Sequence, residues 1–256
     1  MLDDDQLTRY ARQVILPEFG EENQERLLTA TVLVIGAGGL GAPLIQYLAA
    51  AGIGRLRIVD DDEVELTNLN RQVVHSTARI ATPKAQSAAA AVAQLNPGCV
   101  VEPVVARFSA DTAADLLSGV EVIADCSDTP DTRYLVNAAA HEMGLPVVFG
   151  GAVRMEGQIT TFASGRDPES PCFRCIFPET AGHDLAPRCS EAGIFGPVTG
   201  VIGTLMAMEV LKQCLLPATP LGEGLVGRLM LYDAREQSFM PIRVRPRSDC
   251  PVCSGR

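Results

Sequence analysis

Residues 31–43 read TVLVIGAGGLGAP, and this stretch decides the fold class. It opens with a short apolar, β-branched run that is typical of a buried parallel strand. Gly36, Gly38 and Gly41 then follow the G-x-G-x-x-G spacing, with Gly39 in the same loop. Glycines there permit a tight turn and a close approach to phosphate, and the next helix offers unpaired N–H groups. The stretch predicts a nucleotide-binding strand–loop–helix unit; the alternative is a tight turn that binds no ligand.

The pattern around this unit predicts one domain over residues 1–256, of the α/β class. Residues 1–30 read as two short N-terminal helices, and 31–150 as a Rossmann-like, doubly wound, parallel nucleotide-binding part. Residues 151–256 alternate like antiparallel strands that extend the mostly parallel sheet, around one long helix at about 198–215. Predicted strands are 31–36, 55–60, 100–108, 120–126, 146–153, 157–164, 227–234 and 238–244, and further predicted helices are 39–51, 83–95 and 131–144. Pro103 places the third strand near a sheet edge.

Charge and composition limit the partners. The chain has 21 Lys and Arg against 31 Asp and Glu, a net charge of −10. This balance argues against a protein that wraps a nucleic-acid backbone, so a bound phosphate should be small and held locally.

The start, MLDDDQLTRY, has no features of an export signal. The most apolar stretch, 198–216, carries Glu209 and Lys212, which argues against a membrane span. We expect a cytoplasmic protein that binds neither nucleic acid nor membrane.

Charged side chains follow the predicted strands at their carboxyl ends, where ligands of open α/β sheets bind. Asp60 ends the second strand and is placed to accept from a ribose hydroxyl. Arg71 and Lys84 follow on the same side and suit a triphosphate, although each alone reads as a solvated surface residue. Asp128 follows the fourth strand as a candidate Mg²⁺ ligand, and the alternative is the N-cap of the next helix.

Two C-x-x-C pairs, CFRC and CPVC, predict a metal site. Cys172, Cys175, Cys250 and Cys253 supply four thiolates with no open position, as in a structural zinc knuckle. One pair alone would also suit a redox role. Cys189 lies in a long irregular stretch and is a candidate reactive thiol. The remaining cysteines sit in apolar contexts that are typical of core residues: Cys99, Cys126 and Cys214.

An ordered series of motifs resembles the ThiF/MoeB/HesA family, relatives of the ubiquitin-activating enzymes. The motifs are RYARQVILPEFG, GAGGLGAP, VDDDEVELTNLNRQ, TPKAQSA, DCSDTPDTRYLVN, GGAVRMEGQIT, PCFRC, GPVTGVIGTLMAMEVLK and CPVC, and they cover essentially the whole chain. The family adenylates the C-terminal Gly-Gly carboxylate of a small ubiquitin-like sulfur carrier, using Mg·ATP and releasing pyrophosphate. The resemblance therefore implies an adenylyltransferase with ATP, Mg²⁺ and structural Zn²⁺ as cofactors.

The resemblance also assigns roles to individual positions. Asp60 matches the ribose-binding acid, Asp128 the magnesium-binding acid, and Arg12 an arginine that reaches into the partner's ATP site across a homodimer. Cys189 matches the thiol of a mobile crossover loop, and the four paired cysteines match the zinc ligands. The positions that the resemblance places around ATP are Gly36, Gly38, Gly39, Gly41, Asp60, Asp62, Asn68, Arg71, Lys84 and Asp128.

The motifs leave two branches of the family possible, which differ in the carrier protein that they activate. RMEGQIT resembles proteins that activate the small subunit of molybdopterin synthase, which we favour, whereas other motifs resemble the thiamine branch equally. Because the sequence ends after CPVCSGR, we expect sulfur to come from a separate protein, such as a cysteine desulfurase or a rhodanese. Three alternatives remain: an NAD-dependent oxidoreductase, a tRNA-modifying dehydratase, which the net charge disfavours, and an inactive scaffold for a ubiquitin-like protein.

Overall fold

The computed structural model describes residues 1–178, 192–216 and 221–254. Its strands are β1 (Thr31–Ile35), β2 (Arg55–Val59), β3 (Val100–Val104), β4 (Val122–Asp125), β5 (Val147–Val153), β6 (Glu156–Phe162), β7 (Arg228–Asp233) and β8 (Ser238–Arg243). Its helices are α1 (Asp4–Val14), α2 (Gly20–Thr29), α3 (Gly41–Ala51), α4 (Lys84–Leu95), α5 (Ala110–Leu117), α6 (Pro130–Met143), α7 (Phe173–Ile176) and α8 (Gly196–Cys214). The eight strands form one sheet in the order β3-β2-β1-β4-β5-β6-β7-β8.

The sheet has a parallel half and an antiparallel half, as the sequence predicts. β1 pairs in parallel with β2 and with β4, and β5 continues the parallel half beside β4. From β5 onward each strand pairs antiparallel with the next, through β6 and β7 to β8. The chain crosses from one side of β1 to the other between β3 and β4. Such a switch point opens a crevice at the carboxyl ends of the strands, which is where ligands of these folds bind.

Both faces of β1 are buried, which explains its uninterrupted apolar sequence. Val32 and Val34 face a core layer that includes α3, α4 and α8, whereas Leu33 and Ile35 face a layer that includes α5 and α6. Alternate side chains of a strand point to opposite faces, so a strand covered by helices on both sides must be apolar throughout.

The largest differences from the sequence prediction are one strand end and one additional helix. The third strand ends at Val104 rather than at 108, because its partner β2 ends at Val59, which is paired with Val104. The chain then turns through Ser109, whose side chain and that of Thr112 form a capping box for α5, a short helix that the patterns did not predict. The edge position expected for this strand is confirmed, since β3 is the first strand of the sheet.

The described helices include none that is both long enough and apolar enough to cross a bilayer. The longest is α8, of 19 residues. It carries a buried carboxylate, Glu209, which accepts hydrogen bonds from Thr161 and from the backbone of Leu225. The helix therefore packs as part of the core.

Candidate active site

The glycine loop between β1 and α3 is built by close backbone contacts. Gly36 has a φ of +93°, a conformation that side chains other than glycine rarely adopt. A Cβ on Gly41 would lie 2.0 Å from the carbonyl oxygen of Gly36, so the third glycine of the motif is required for the loop to close. A Cβ on Gly38 would meet only the Gln72 side chain, at 3.7 Å. Gly38 therefore leaves room for a ligand to approach the backbone.

The loop presents free N–H groups at the start of α3. Within the described residues, no acceptor is assigned to the backbone N–H groups of Gly38, Gly39, Leu40 and Gly41. No side chain caps this helix at its N-terminus. Unpaired amides at a helix N-terminus form a binding site for anions such as phosphate.

Asp60 lies at the end of β2 and is tied to the glycine loop. Its carboxylate accepts from the N–H of Ala37 at 2.7 Å and from the N–H of Asp62 at 2.9 Å. Burial raises the pKa of this carboxyl group, while the two N–H groups and the charge of Lys84 oppose that rise. The position fits the predicted ribose contact because Asp60 joins the loop at the carboxyl edge of the sheet.

Lys84 is brought to the same place by the start of α4. Its ammonium group is buried and forms an ion pair with Asp62 at 2.7 Å, and its backbone N–H donates to the Asp62 carbonyl. The side chain is 8% exposed, so the solvated surface position that a lone lysine usually takes is excluded. A buried ammonium with one exposed carboxylate partner remains available to an anionic ligand.

The segment NLNRQ forms a compact turn over the glycine loop. Asn68 is buried, and its Oδ1 accepts from the N–H of Glu65. Arg71 is half-buried, and its guanidinium donates to the carbonyl of Thr67 at 2.9 Å and to Asn70 at 3.1 Å. These contacts occupy one guanidinium nitrogen with neutral oxygens, so the charge of Arg71 is not neutralised by an acid in the described chain.

Gln72 gives a direct sign that a polar group is missing from this pocket. Its side chain is buried beside Gly38, and its Oε1 has no hydrogen-bond partner in the described structure. A buried polar atom left unpaired is costly, so it calls for a donor from a ligand or from water. The free amides and the two cations fit the phosphates of a nucleotide, and the unpaired acceptor fits a donor from elsewhere on the ligand or from water.

Helix α8 closes the site from the antiparallel half of the sheet. A Cβ on Gly39 would lie 3.1 Å from Thr199, and a Cβ on Gly196 would lie 2.6 Å from the carbonyl of Asn70. The first turn of α8 therefore packs against both the glycine loop and the NLNRQ turn. The sequence did not single out these contacts, because they join segments more than a hundred residues apart.

Asp128 is exposed, and hydrogen bonds of Asp125 and Ser127 fix the backbone just before it. Asp125, at the end of β4, is fully buried and accepts from the Ser127 hydroxyl and backbone N–H. Burial raises the pKa of Asp125, and Arg133 opposes the rise. The Arg133 guanidinium also donates to the Ser127 carbonyl. The N-cap of α6 is Thr129, so the alternative role of Asp128 as a helix cap is not found.

Arg12 lies far from the glycine loop of its own chain. It is exposed near the end of α1, and within the described residues no acid or hydrogen-bond partner is assigned to it. The next residue, Gln13, donates to the carbonyl of Ala51 at the C-terminal end of α3. The glycine loop lies at the opposite end of this helix of 11 residues. A helix of that length spans about 15 Å, too far for an arginine to reach the loop within one chain.

The four paired cysteines come together as predicted. The Sγ atoms of Cys172 and Cys250 are 3.5 Å apart, those of Cys175 and Cys253 3.4 Å, and those of Cys172 and Cys175 3.9 Å. Zinc–sulfur bonds of about 2.3 Å in a tetrahedron require sulfur separations of about 3.8 Å. The backbone N–H of Arg247 also donates to the Cys175 sulfur. The cluster fits a structural Zn²⁺ that joins the C-terminal tail to α7.

Replacing Cys250 with serine is expected to lower the metal content from about one zinc per chain to less than about a tenth. The tail should loosen and the midpoint of thermal unfolding should fall, while ATP binding is retained. Metal analysis of protein purified under reducing conditions checks this, and Cys214→Ser, in a buried cysteine outside the cluster, serves as the matched control. Far less than one zinc in the unmutated chain would contradict the assignment.

The other cysteines divide into two groups. Burial raises the pKa of Cys99 and of Cys214 to about 12, and it also raises the pKa of Cys126. Cys99 and Cys214 lie in the core, as predicted, and Cys126 packs against it partly buried. A thiol with a raised pKa is a weak nucleophile at neutral pH. Cys189 lies outside the described residues, so its role as a reactive thiol remains a prediction.

A Rossmann-like sheet with a glycine loop at its switch point is the architecture of nucleotide-binding α/β proteins. The chain belongs to the ThiF family, whose sequence pattern matches residues 10–252. It is 47% identical to the SAMP-activating enzyme E1 of Haloferax volcanii, over 98% of this chain and 90% of the relative. It is 45% identical to the sulfur carrier protein adenylyltransferase of Thermus thermophilus, over 97% and 91% of the two chains. The chain is an adenylyltransferase.

A longer relative and a solved structure complete the comparison. The adenylyltransferase and sulfurtransferase MOCS3 of Sus scrofa is 46% identical over the whole of this chain, which spans 55% of the relative. The crystal structure of E. coli MccB superposes with a TM-score of 0.82 at 21% identity, covering 97% of this chain and 72% of that one. At this identity the superposition shows the shared fold.

Proposed function

We propose that this enzyme adenylylates the C-terminal Gly-Gly carboxylate of a ubiquitin-like sulfur-carrier protein, and we favour a carrier of the molybdopterin-synthase small-subunit type. The products are a carrier acyl-adenylate and pyrophosphate, formed ahead of thiocarboxylation. The main support is the 45% identity, over nearly the full length of both chains, to a protein named as a sulfur carrier protein adenylyltransferase. The thiamine sulfur carrier is the alternative carrier.

In this reaction the protein has two tasks: to position the carboxylate and ATP, and to stabilise the negative charge on the phosphate oxygens. A C-terminal carboxylate has a pKa of about 3.5, so at neutral pH it is already ionised and needs no general base. Attack on the α-phosphorus moves negative charge onto phosphate oxygens, which fixed donors stabilise. The loop amides, Arg71 and Lys84 are the donors that the described chain supplies at this edge of the sheet.

Asp60 and Asp128 take the two acidic roles in this proposal. Asp60 accepts from the ribose, with its carboxylate held by the N–H of Ala37. Asp128, exposed three residues after the end of β4, would hold Mg²⁺, which when bound neutralises the charge of the departing pyrophosphate. Asp62 holds Lys84 in place through their ion pair, and Asn68 holds the turn that carries Arg71.

The remaining partners follow from the same proposal. We place the enzyme in the cytoplasm as a single adenylation domain that acts as a homodimer, with residues 151–256 as the carrier-binding part. Sulfur comes from a separate donor, a cysteine desulfurase or a rhodanese. The buried thiols Cys99 and Cys214, with their raised pKa values, are poor nucleophiles for sulfur transfer.

An NAD-dependent oxidoreductase is the candidate from another class of enzyme. It would use the glycine loop and Asp60 but would leave the buried ammonium of Lys84 without a purpose. A tRNA-modifying dehydratase would need a cationic surface, which a net charge of −10 does not supply. Binding of a pyridine nucleotide without binding of ATP would favour the first, and tight binding of tRNA at moderate salt the second.

ATP–pyrophosphate exchange with candidate carriers tests the proposal. Carriers of the molybdopterin and thiamine types are compared, each with and without its terminal Gly-Gly. We expect exchange that depends on an intact tail and is faster with the molybdopterin-type carrier. Equal exchange with tailless carriers would contradict the proposal, and faster exchange with the thiamine-type carrier would move it to the other branch.

A further inference from the structure

The two peptide groups on either side of Ala37, in the glycine loop, are each held by a side chain. The N–H of Ala37 donates to Asp60, as described above. The carbonyl of Ala37 lies 2.9 Å from Nε2 of His75, a residue that has no place in the site described so far. His75 is 7% exposed, and Ala37 is completely buried.

The hydrogen-bond partners fix which ring nitrogen carries the proton. A carbonyl oxygen only accepts, so Nε2 of His75 must donate to Ala37. The other nitrogen, Nδ1, lies 2.9 Å from the hydroxyl of Ser87 on α4, and in the neutral ring it accepts from that hydroxyl. Ser87 is completely buried, so its side chain is held in place as well. The Ala37 carbonyl thereby selects the tautomer, and the Ser87 hydroxyl holds the ring in the orientation that binds the loop.

The contact with the Ala37 carbonyl has a consequence for the next residue. In a trans peptide group the C=O of one residue and the N–H of the next point in opposite directions in one plane. A carbonyl held against His75 therefore turns the N–H of Gly38 away from the core. That N–H is one of the loop amides without a partner in the described chain.

We propose that His75 is a positioning residue of the nucleotide site: it holds the Ala37 carbonyl so that the Gly38 N–H faces the phosphates of the bound nucleotide. The inference rests on the proposed ATP site and extends it to a side chain that touches no ligand. Asp60 fixes the preceding peptide group in the same way, so two consecutive peptide planes of the loop are set by side chains. The alternative is a histidine that only fills the core.

Replacing His75 with glutamine or with asparagine distinguishes a positioning residue from a histidine that only fills the core. Glutamine can place an amide N–H near the position of Nε2, whereas asparagine is shorter and reaches only as far as Ser87. We expect His75→Asn to weaken ATP binding about tenfold, as for a lost buried hydrogen bond, and His75→Gln to stay within about threefold of the unmutated chain. Binding of adenosine, which has no phosphate, should change less than about twofold in both.

Titration calorimetry with Mg·ATP and with adenosine measures these affinities on the full-length protein, after thermal unfolding has verified folding. Ser87→Ala is the second variant, because it removes the bond that orients the ring and preserves most of the volume. It should weaken ATP binding about threefold and leave adenosine binding unchanged. Equal losses for ATP and adenosine, or full ATP affinity in His75→Asn, would overturn the inference. Failure of the unmutated chain to bind ATP would instead overturn the proposed function.

Discussion

Asp128→Ala is expected to lower ATP–pyrophosphate exchange by about a thousandfold or more, because the variant loses a ligand of the metal that neutralises the departing pyrophosphate. The structure leaves Asp128 free for this task. The carboxylate is exposed, and the N-cap position of α6 belongs to Thr129. Stability should change little, because no described hydrogen bond depends on the Asp128 side chain.

Two matched variants make this expectation specific. Asp131→Ala removes another exposed acid three residues further on, in the first turn of α6, and should keep near-normal exchange. Asp128→Asn preserves the shape but weakens the metal ligand, so its activity should partly recover at high Mg²⁺ concentration. Near-normal exchange in Asp128→Ala at ordinary Mg²⁺ concentration would remove Asp128 from the metal site.

Arg12→Ala is also expected to abolish exchange, although Arg12 lies at the far end of α3 from its own glycine loop. The physical reason is that a dimer would bring the arginine of one chain to the phosphates of the other, as an arginine finger acting in trans. Ile15 and Leu16, just beyond Arg12, are 75% and 47% exposed, as expected of a surface that a second copy covers. Arg9→Ala is the control, because Arg9 lies on the same helix and donates to Leu95 of its own chain.

Mixing two inactive variants tests the shared site directly. In a dimer of one Arg12→Ala chain and one Asp128→Ala chain, one of the two sites has both residues intact. With random exchange of subunits about half of the dimers are mixed, so recovery should approach roughly a quarter of the unmutated rate. A monomer at working concentration, or no recovery after verified exchange of subunits, would contradict the shared site.

The sequence predicts most of the fold because local patterns and tertiary packing agree. The apolar run of β1 is covered on both faces, and the αL conformation of Gly144 ends α6, as its position predicts. The short helix α5 was missed because its eight residues give little periodicity. The early end of β3 was missed because it depends on where the paired strand β2 ends.

The sequence predicts which residues form the candidate site, but it does not predict all the contacts between them. The positions of Asp60 and Lys84 follow from strand ends that meet at one edge of the sheet. The ion pair of Lys84 with Asp62 and the bond of His75 to Ala37 depend on how loops approach each other in space. A sequence motif does not encode such distances. The one signal for His75 in the sequence is its position seven residues after Asn68, close to the NLNRQ motif.

The most direct test of the central claim is to identify what the enzyme attaches to the carrier. The carrier is incubated with the enzyme and Mg·ATP, without a sulfur donor, and the quenched carrier is analysed by mass spectrometry. We predict an AMP adduct on the C-terminal glycine, absent from a carrier that lacks its Gly-Gly tail and absent when Asp128→Ala replaces the enzyme. An unmodified carrier in a reaction where the enzyme binds both ATP and carrier would contradict the account.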